Sequence, residues 1–326
     1  MSRHLPLLVL LPALALAACD SNDDEIDRVA TAQISAPADT TLPFYPGPVQ
    51  MLDVNGRPLA ALDTGGDGAP VVLVHGLGSN LSFWRETIPA LEAAGHRVVA
   101  LDLPGYGLSD KADASGTMAD FAGAVVGVMD ALDLRQPDVV GISMGGQIAL
   151  TLALDHPDRV RRLALLSPAG IETFTDAQAA AITGLMTPAA IAGTTEAQAA
   201  ANVRANFSAY DPARDGWILE QRRAVTARDD FPGYAAANAA SVAGMLNGPV
   251  FDRLGALAAP TLVLYGADDA LIPNPYLHPT LTTADVADAA RAIPGAEIHL
   301  VDGAGHLVML EQAETVNRHL VRFLAE

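Results

Sequence analysis

Cysteine is almost absent: the 326-residue chain has one, Cys19. A single thiol excludes an intrachain disulfide and any zinc site built on cysteines. Positive charge is also scarce. Lys and Arg number 19 against 38 Asp and Glu, a formal net charge of −19, and Lys111 is the only lysine. So acidic a chain argues against nucleic acid as a partner, because phosphate binding needs a basic face. It also lacks a basic patch to hold it on anionic lipid. The apolar run at the amino terminus, Leu5 to Ala18, is too short to span a bilayer. As a helix at ~1.5 Å per residue it covers about 21 Å of a ~30 Å hydrocarbon core. What the chain does have is apolar bulk. Apolar residues are 50% and charged residues 17%, which excludes a disordered chain and supplies a large core. The length suits one large α/β domain or two small ones.

Residues 1–18, MSRHLPLLVLLPALALAA, combine a positive start at Arg3 with the short apolar run, the pattern of a secretory signal. Leu16-Ala17-Ala18-Cys19 resembles the bacterial lipobox. That resemblance implies lipidation at Cys19, export, and anchoring to the cell membrane by acyl chains, each buried methylene contributing ~0.8 kcal/mol. Asp20 then implies retention on the periplasmic face of the inner membrane in a Gram-negative cell. Residues 19–48 are acidic, then small and polar, then Pro-rich, and are expected to form a flexible tether.

From residue 49 strand and helix patterns alternate. Residues 49–54 and 59–64 flank Asn55-Gly56 and predict an antiparallel hairpin. The β-branched run 71–75 has the composition of a strand buried on both faces. Further strands are expected at 97–102, 138–142, 160–167, 261–265 and 297–301. Helices are expected at 83–94, 117–132, 144–154, 284–292 and 312–324. This alternation predicts an α/β fold, a mostly parallel sheet with helices on both faces. Residues 171–250 interrupt it with Ala-rich helical segments broken by Pro and Gly, and are expected to form a helical cap inserted in the second half. Their position after a strand puts them over the carboxyl ends of the sheet, where ligands bind in such folds.

Three segments carry chemistry. Gly141-Ile142-Ser143-Met144-Gly145-Gly146 lies between a predicted strand and a predicted helix, where small neighbours permit a sharp turn that exposes the Ser143 hydroxyl. A hydroxyl needs a base near neutral pH, and the base needs an acid to hold its tautomer. His306 follows the strand at 297–301 and supplies the base. Asp268 and Asp269 follow the strand at 261–265, and either could be the acid.

From about Val49 to Glu326 the chain resembles an α/β-hydrolase of the lipase and esterase group, and the stretches Ser167 to Glu172 and Ile272 to Pro279 resemble bacterial lipase-like hydrolases related to monoacylglycerol lipases. The order Ser, Asp, His is that family's. Its G-x-x-D-x-x-x-P pattern, matched by Gly266 and Pro273, implies Asp269 as the acid. His75-Gly76-Leu77-Gly78 matches the oxyanion-loop motif H-G-x-G and implies that Leu77 and Met144 donate backbone N–H groups to a developing oxyanion. Leu101 to Gly107 matches a family turn and is expected to be structural, as is His278. The function implied is a membrane-tethered serine hydrolase of carboxylic esters, with an acyl-enzyme on Ser143 and an apolar ester as substrate. Met186, Trp217 and Met245 are the expected pocket residues among the large side chains of the cap. No cofactor and no metal are expected. Two other readings are a carbon–carbon bond hydrolase of ring-fission products, which uses the same triad, and a lipoprotein that merely binds a ligand or partner on this scaffold.

Overall fold

A computed structural model describes residues 42–112 and 114–326. The expected signal at 1–18, the lipidation site Cys19 and most of the tether lie outside the described residues. No helix among the described residues is long and apolar enough to cross a membrane.

Eight strands form one sheet: β1 (Gln50–Val54), β2 (Arg57–Asp63), β3 (Pro70–Val74), β4 (Arg97–Leu101), β5 (Asp138–Ile142), β6 (Leu163–Leu166), β7 (Thr261–Gly266) and β8 (Glu297–Val301). Their order is β1-β2-β4-β3-β5-β6-β7-β8. β1 and β2 form the expected hairpin, closed by Asn55 and Gly56 at φ 55° and 83°. Two successive positive φ angles are what a two-residue hairpin turn of matching twist requires. β2 runs antiparallel to β4, and the other pairings, from β4 to β8, are parallel.

The central strands are apolar on both faces because both are covered. Val72, Val74, Val139, Leu165 and Val263 join one hydrophobic cluster, whereas Val71, Leu73, Val140, Leu166 and Leu262 join the other. Alternation within a strand sends neighbouring side chains to opposite faces. The first cluster is completed by α2 (Met118–Ala131) and α3 (Met144–Asp155), through Phe121 and Ile148 among others. The second takes Leu91 of α1 (Ile88–Ala93), together with Trp84 from the short 3₁₀ turn Leu81–Trp84. The expected helix at 83–94 is thus two pieces, and Pro89 falls in the first turn of the second, where its missing N–H has no intrahelical partner to lose.

Between β6 and β7 the cap contributes α4 (Asp176–Leu185), α5 (Pro188–Ala192), α6 (Glu196–Arg204), α7 (Pro212–Asp215), α8 (Trp217–Thr226) and α9 (Phe231–Asn247). α4 and α5 pack on α9, and α6 packs on α8. The chain then returns through β7, α10 (Thr283–Ala289), β8, α11 (Val308–Glu311) and α12 (Ala313–Leu324). Val286 of α10 joins the first cluster, and Met309 and Leu320 join the second.

The end of the expected tether belongs to the domain. Leu42 is buried, Phe44 lies against Trp217 at a ring distance of 5.8 Å, and the Tyr45 hydroxyl donates to Asp102 Oδ2 at 2.5 Å. The Pro-rich composition of 42–48 therefore serves packing, and the folded domain begins before residue 49. Asp102 organises this corner. It is fully buried and also accepts from the Leu81 N–H at 2.8 Å and the Leu108 N–H at 2.8 Å. The turn at 101–107 is thus tied to both the 3₁₀ turn and the amino-terminal segment, as its expected structural role requires.

Burial raises the Asp102 pKa from 3.8 to about 6, against the lowering effect of these donors. A folded-state pKa above the unfolded value means that the folded chain takes up the proton first. This group's contribution to stability is therefore largest at low pH and declines as pH rises through about 6. The Tyr45 hydroxyl offsets part of that decline by donating to the carboxylate. Tyr45→Phe should lower stability by about 1.5–3 kcal/mol near neutral pH, the scale of a hydrogen bond to a charged group. The deficit should shrink at about pH 5, where Asp102 holds its proton. Urea unfolding of both chains at the two pH values checks this, and an equal deficit at both contradicts it.

Candidate active site

Ser143 joins β5 to α3 at φ 55° and ψ −120°. Such backbone costs a non-glycine residue on the order of 1–3 kcal/mol and persists only where its surroundings hold it. Here the Ser143 N–H donates to the Leu166 carbonyl at 3.0 Å, and its own carbonyl accepts from Gly146, Gln147 and Ala169 at 2.9, 3.2 and 3.0 Å. α3 presses onto the end of β3. A Cβ on Gly145 would stand 2.2 Å from the Val74 carbonyl oxygen, so only glycine fits there. The turn leaves Ser143 half-buried and lining a cavity under the cap.

The loop after β3 flanks the serine. A Cβ on Gly76 would lie 3.1 Å from the Ser143 Cβ, and Leu77 lines the cavity. His75 holds this loop. Its Nδ1–H donates to the Gly76 carbonyl at 2.8 Å, and its Nε2 accepts from the Leu103 N–H at 3.0 Å. Full burial lowers its pKa to about 4, so the ring is neutral near pH 7 and braces the loop through these two bonds. Met144 opens α3, and its N–H, in the first helical position, has no intrahelical acceptor.

Asp269 and His306 meet across the ends of β7 and β8. The His306 Nδ1–H donates to Asp269 Oδ2 at 2.8 Å. Asp269 Oδ1 accepts from the Leu271 and Ile272 N–H groups at 2.8 and 3.1 Å, which fixes the carboxylate plane. With Nδ1–H committed to the carboxylate, Nε2 is the nitrogen that can accept a proton. His306 lines the same cavity as Ser143. Asp268, the alternative acid, is exposed and takes the Ser208 hydroxyl at 2.9 Å. The register of the loop therefore favours Asp269, which is buried.

The cavity has a volume of about 680 Å³. Met186 and Met245 line it, together with Ile182, Leu185 and Val242. Trp217 does not. It packs behind Phe83, at a ring distance of 5.4 Å, beside Phe44 and under the Arg85 guanidinium at 4.9 Å. It joins the cap to the amino-terminal segment, so the expectation of a pocket role for Trp217 is corrected. His278 is structural in the sense expected: its Nδ1 pairs with Glu172 Oε1 at 2.5 Å, and Glu172 also takes the Asn274 N–H at 2.7 Å. Burial raises the pKa of Glu172.

Two polar residues of the cavity went unnoticed in the sequence. Gln221 is buried, and neither its Oε1 nor its Nε2 has a hydrogen-bond partner. Arg222 lines the cavity and makes no hydrogen bond or ion pair among the described residues. A methyl group placed on Gly78, at the end of the loop after β3, would lie 3.4 Å from Arg222 Nη2 and 3.8 Å from Asn238 Nδ2. Only the spacing of 218, 221, 222 and 225 along α8 hints that these residues share a face. Away from the cavity, Glu297, His299 and His319 bring ligand atoms within 4.8 Å of one another. Glu297 is already shared by His299, at 2.5 Å, and Arg322, so the pairing satisfies the carboxylate without an ion.

A family model described as alpha/beta hydrolase fold matches residues 69–313. The chain is 32% identical to a dihydrolipoyllysine-residue acetyltransferase component of an acetoin cleaving system from Pseudomonas putida, over 96% of this chain and 81% of that protein. It is 31% identical to a 2-hydroxy-6-oxononadienedioate/2-hydroxy-6-oxononatrienedioate hydrolase from Cupriavidus pinatubonensis, over 80% of this chain and 89% of that protein. Among solved structures, an enol-lactonase from Burkholderia xenovorans superposes with a TM-score of 0.68 at 27% identity, over 85% of this chain and 100% of that one.

The geometry of the acid loop makes a direct prediction. Asp269→Asn should lower kcat for p-nitrophenyl butyrate by about 10²–10⁴-fold, because the amide favours the wrong imidazole tautomer. Asp268→Asn keeps an acceptor for Ser208 and should change kcat by less than about 3-fold, as exposed substitutions usually do. Steady-state kinetics of the two variants decide it, and a reversed ranking would move the acid role to Asp268.

Proposed function

The chain belongs to the α/β-hydrolase fold family, and on that premise we propose that it is a serine hydrolase that cleaves carboxylic esters through an acyl-enzyme on Ser143. The observation that carries this reading is the 2.8 Å bond between His306 and Asp269, at a cavity that Ser143 also lines. In the proposed cycle His306 Nε2 takes the Ser143 proton as Oγ attacks the ester carbonyl. The resulting oxyanion is met by the N–H groups of Leu77 and Met144, each typically worth about 2.7–4 kcal/mol in the transition state. His306 then returns the proton to the leaving alcohol. A water deprotonated by the same nitrogen attacks the acyl carbon, and collapse of the second tetrahedral intermediate frees the acid and Ser143. No step calls on a metal or an organic cofactor. The volume near 680 Å³, with Met186 and Met245 in its wall, supports an apolar acyl group as the bound part of the substrate. The enol-lactonase likeness also supports an ester, since a lactone is one.

The second reading is a carbon–carbon bond hydrolase of a ring-fission product. Arg222 favours it. A guanidinium with no acid partner among the described residues, in a mostly apolar cavity beside the oxyanion loop, suits a substrate carboxylate. The relative named for a dienedioate would take such a substrate. We further propose that the chain acts from a membrane surface through lipidated Cys19. Metabolic labelling with a clickable fatty acid tests this: label should enter the wild type and be lost from Cys19→Ser, and label retained in the variant would end it.

Ser143→Ala should fold and lose more than about 10³-fold in kcat for p-nitrophenyl butyrate, as expected for removal of a triad member. Activity within about 10-fold of wild type would point to another nucleophile. Arg222→Met separates the two readings. If the substrate is a neutral ester, kcat/KM for that ester should stay within about 3-fold, as for a change that breaks no buried pair. If the substrate is a dienedioate, the wild type should turn it over faster than any ester. Arg222→Met should then cost about 10–100-fold in KM for the dienedioate, the scale of a charge-assisted bond.

A further inference from the structure

The loop that carries His306 is held from the cap. The Leu307 N–H donates to the Asn206 carbonyl at 3.2 Å. On the other side of His306, the Gly305 N–H donates to Glu311 Oε2 at 2.8 Å. Glu311 closes α11 and is buried. Its carboxylate also takes two N–H groups from the cap segment between α6 and α7: Ser208 on Oε2 at 3.0 Å and Ala209 on Oε1 at 2.6 Å. Thus the amides before and after His306 both reach segment 206–209, one directly and one through Glu311.

The contact is tight. A Cβ on Gly305 would stand 2.7 Å from both the Asn206 carbonyl oxygen and the Ser208 nitrogen. The same segment touches the acid loop, through the Ser208 hydroxyl on Asp268. Among the described residues Glu311 has no ion-pair partner. The nearby cation Arg214 is engaged by both carboxylate oxygens of Asp215. The charge of Glu311 is therefore met chiefly by three backbone donors, and a charge-assisted bond to a backbone N–H is stronger than a neutral one. Asn202, Val203 and Asn206, at the end of α6, line the cavity. The segment that Glu311 fastens to the histidine loop is therefore part of the cavity wall.

We propose that Glu311 is a positioning residue, which couples the seating of the cap over a bound substrate to the placement of the His306 imidazole. The proposal rests on Ser143, Asp269 and His306 acting as the triad. Glu311→Gln keeps the shape but sets an amide N–H₂ against at least one backbone N–H. The histidine loop and segment 206–209 should then separate slightly, and a displacement near 1 Å at a reacting group costs about 10²-fold.

The test is steady-state hydrolysis of p-nitrophenyl butyrate and octanoate from about pH 5 to about pH 9, beside thermal melts, for wild type, Glu311→Gln, Glu311→Asp and Ser143→Ala. In Glu311→Gln, kcat should fall about 10–100-fold, with KM changed less than about 3-fold. The acid limb of its kcat profile, which reports the base, should shift. Glu311→Asp retains the charge and should recover part of the loss. A Glu311→Gln chain with wild-type kcat and pH profile, and only a lower melting temperature, would overturn the proposal and leave Glu311 a fastener. Should Glu311→Gln not fold, Glu311→Asp carries the test, and an unaltered kcat and profile there overturns it equally. Ser143→Ala keeps the two failures apart: substantial activity in that variant rejects the triad itself, whatever Glu311 does.

Discussion

The strained backbone of Ser143 is the constraint on which the rest of the structure turns. A serine at φ 55° between a strand and a helix is stable only if both elements are locked. β5 is locked by parallel neighbours on each side, β3 and β6. α3 is locked by its approach to the end of β3, so close that Gly145 has no room for a side chain. The same approach brings the Gly76–Leu77 loop against the serine, because that loop is the direct continuation of β3. Strain at one residue and the placement of its neighbours have a single cause.

The other groups follow from strand order. β5, β7 and β8 run parallel with only β6 between the first two, so the loops after them open on the same edge of the sheet. Ser143, Asp269 and His306 occupy those three loops. The cap leaves after β6, between the serine strand and the acid strand, and so lies over all three. Buried polar groups on the periphery keep this arrangement fixed. His75 stays neutral and splints the loop beside the serine, while Asp102 gathers the Tyr45 hydroxyl and two backbone donors on the turn behind it.

Much of this was legible in the sequence, because its signals are local. Strands such as Val71–Val74 and Leu262–Leu264 are short aliphatic runs that only a doubly covered sheet can bury. Ser143 and His306 each follow a strand directly, and Asn55-Gly56 marks its own turn. The choice between Asp268 and Asp269 is less local: residue pattern leaves both open, family spacing favours Asp269, and the fold buries Asp269 while leaving Asp268 exposed. What was not legible depends on how distant segments meet. Trp217 looked like a pocket residue because it is large and lies in the cap, but the amino-terminal segment and Phe83 claim its ring. Residues 42–48 read as tether because they are rich in Pro. Tyr45 nonetheless finds a partner far along the chain, at Asp102. Gln221 and Arg222 carry no motif at all, and they matter only because α8 turns that face toward the cavity.

The central claim is that the Ser143 hydroxyl, activated by His306, is the nucleophile. Peptide mapping by mass spectrometry after brief exposure to a fluorophosphonate tests it most directly. The account predicts one phosphonyl group per chain, on the peptide that contains Ser143, formed in native protein and not formed when the chain is unfolded before exposure. An adduct on another residue, or native protein that stays unlabelled, would contradict it.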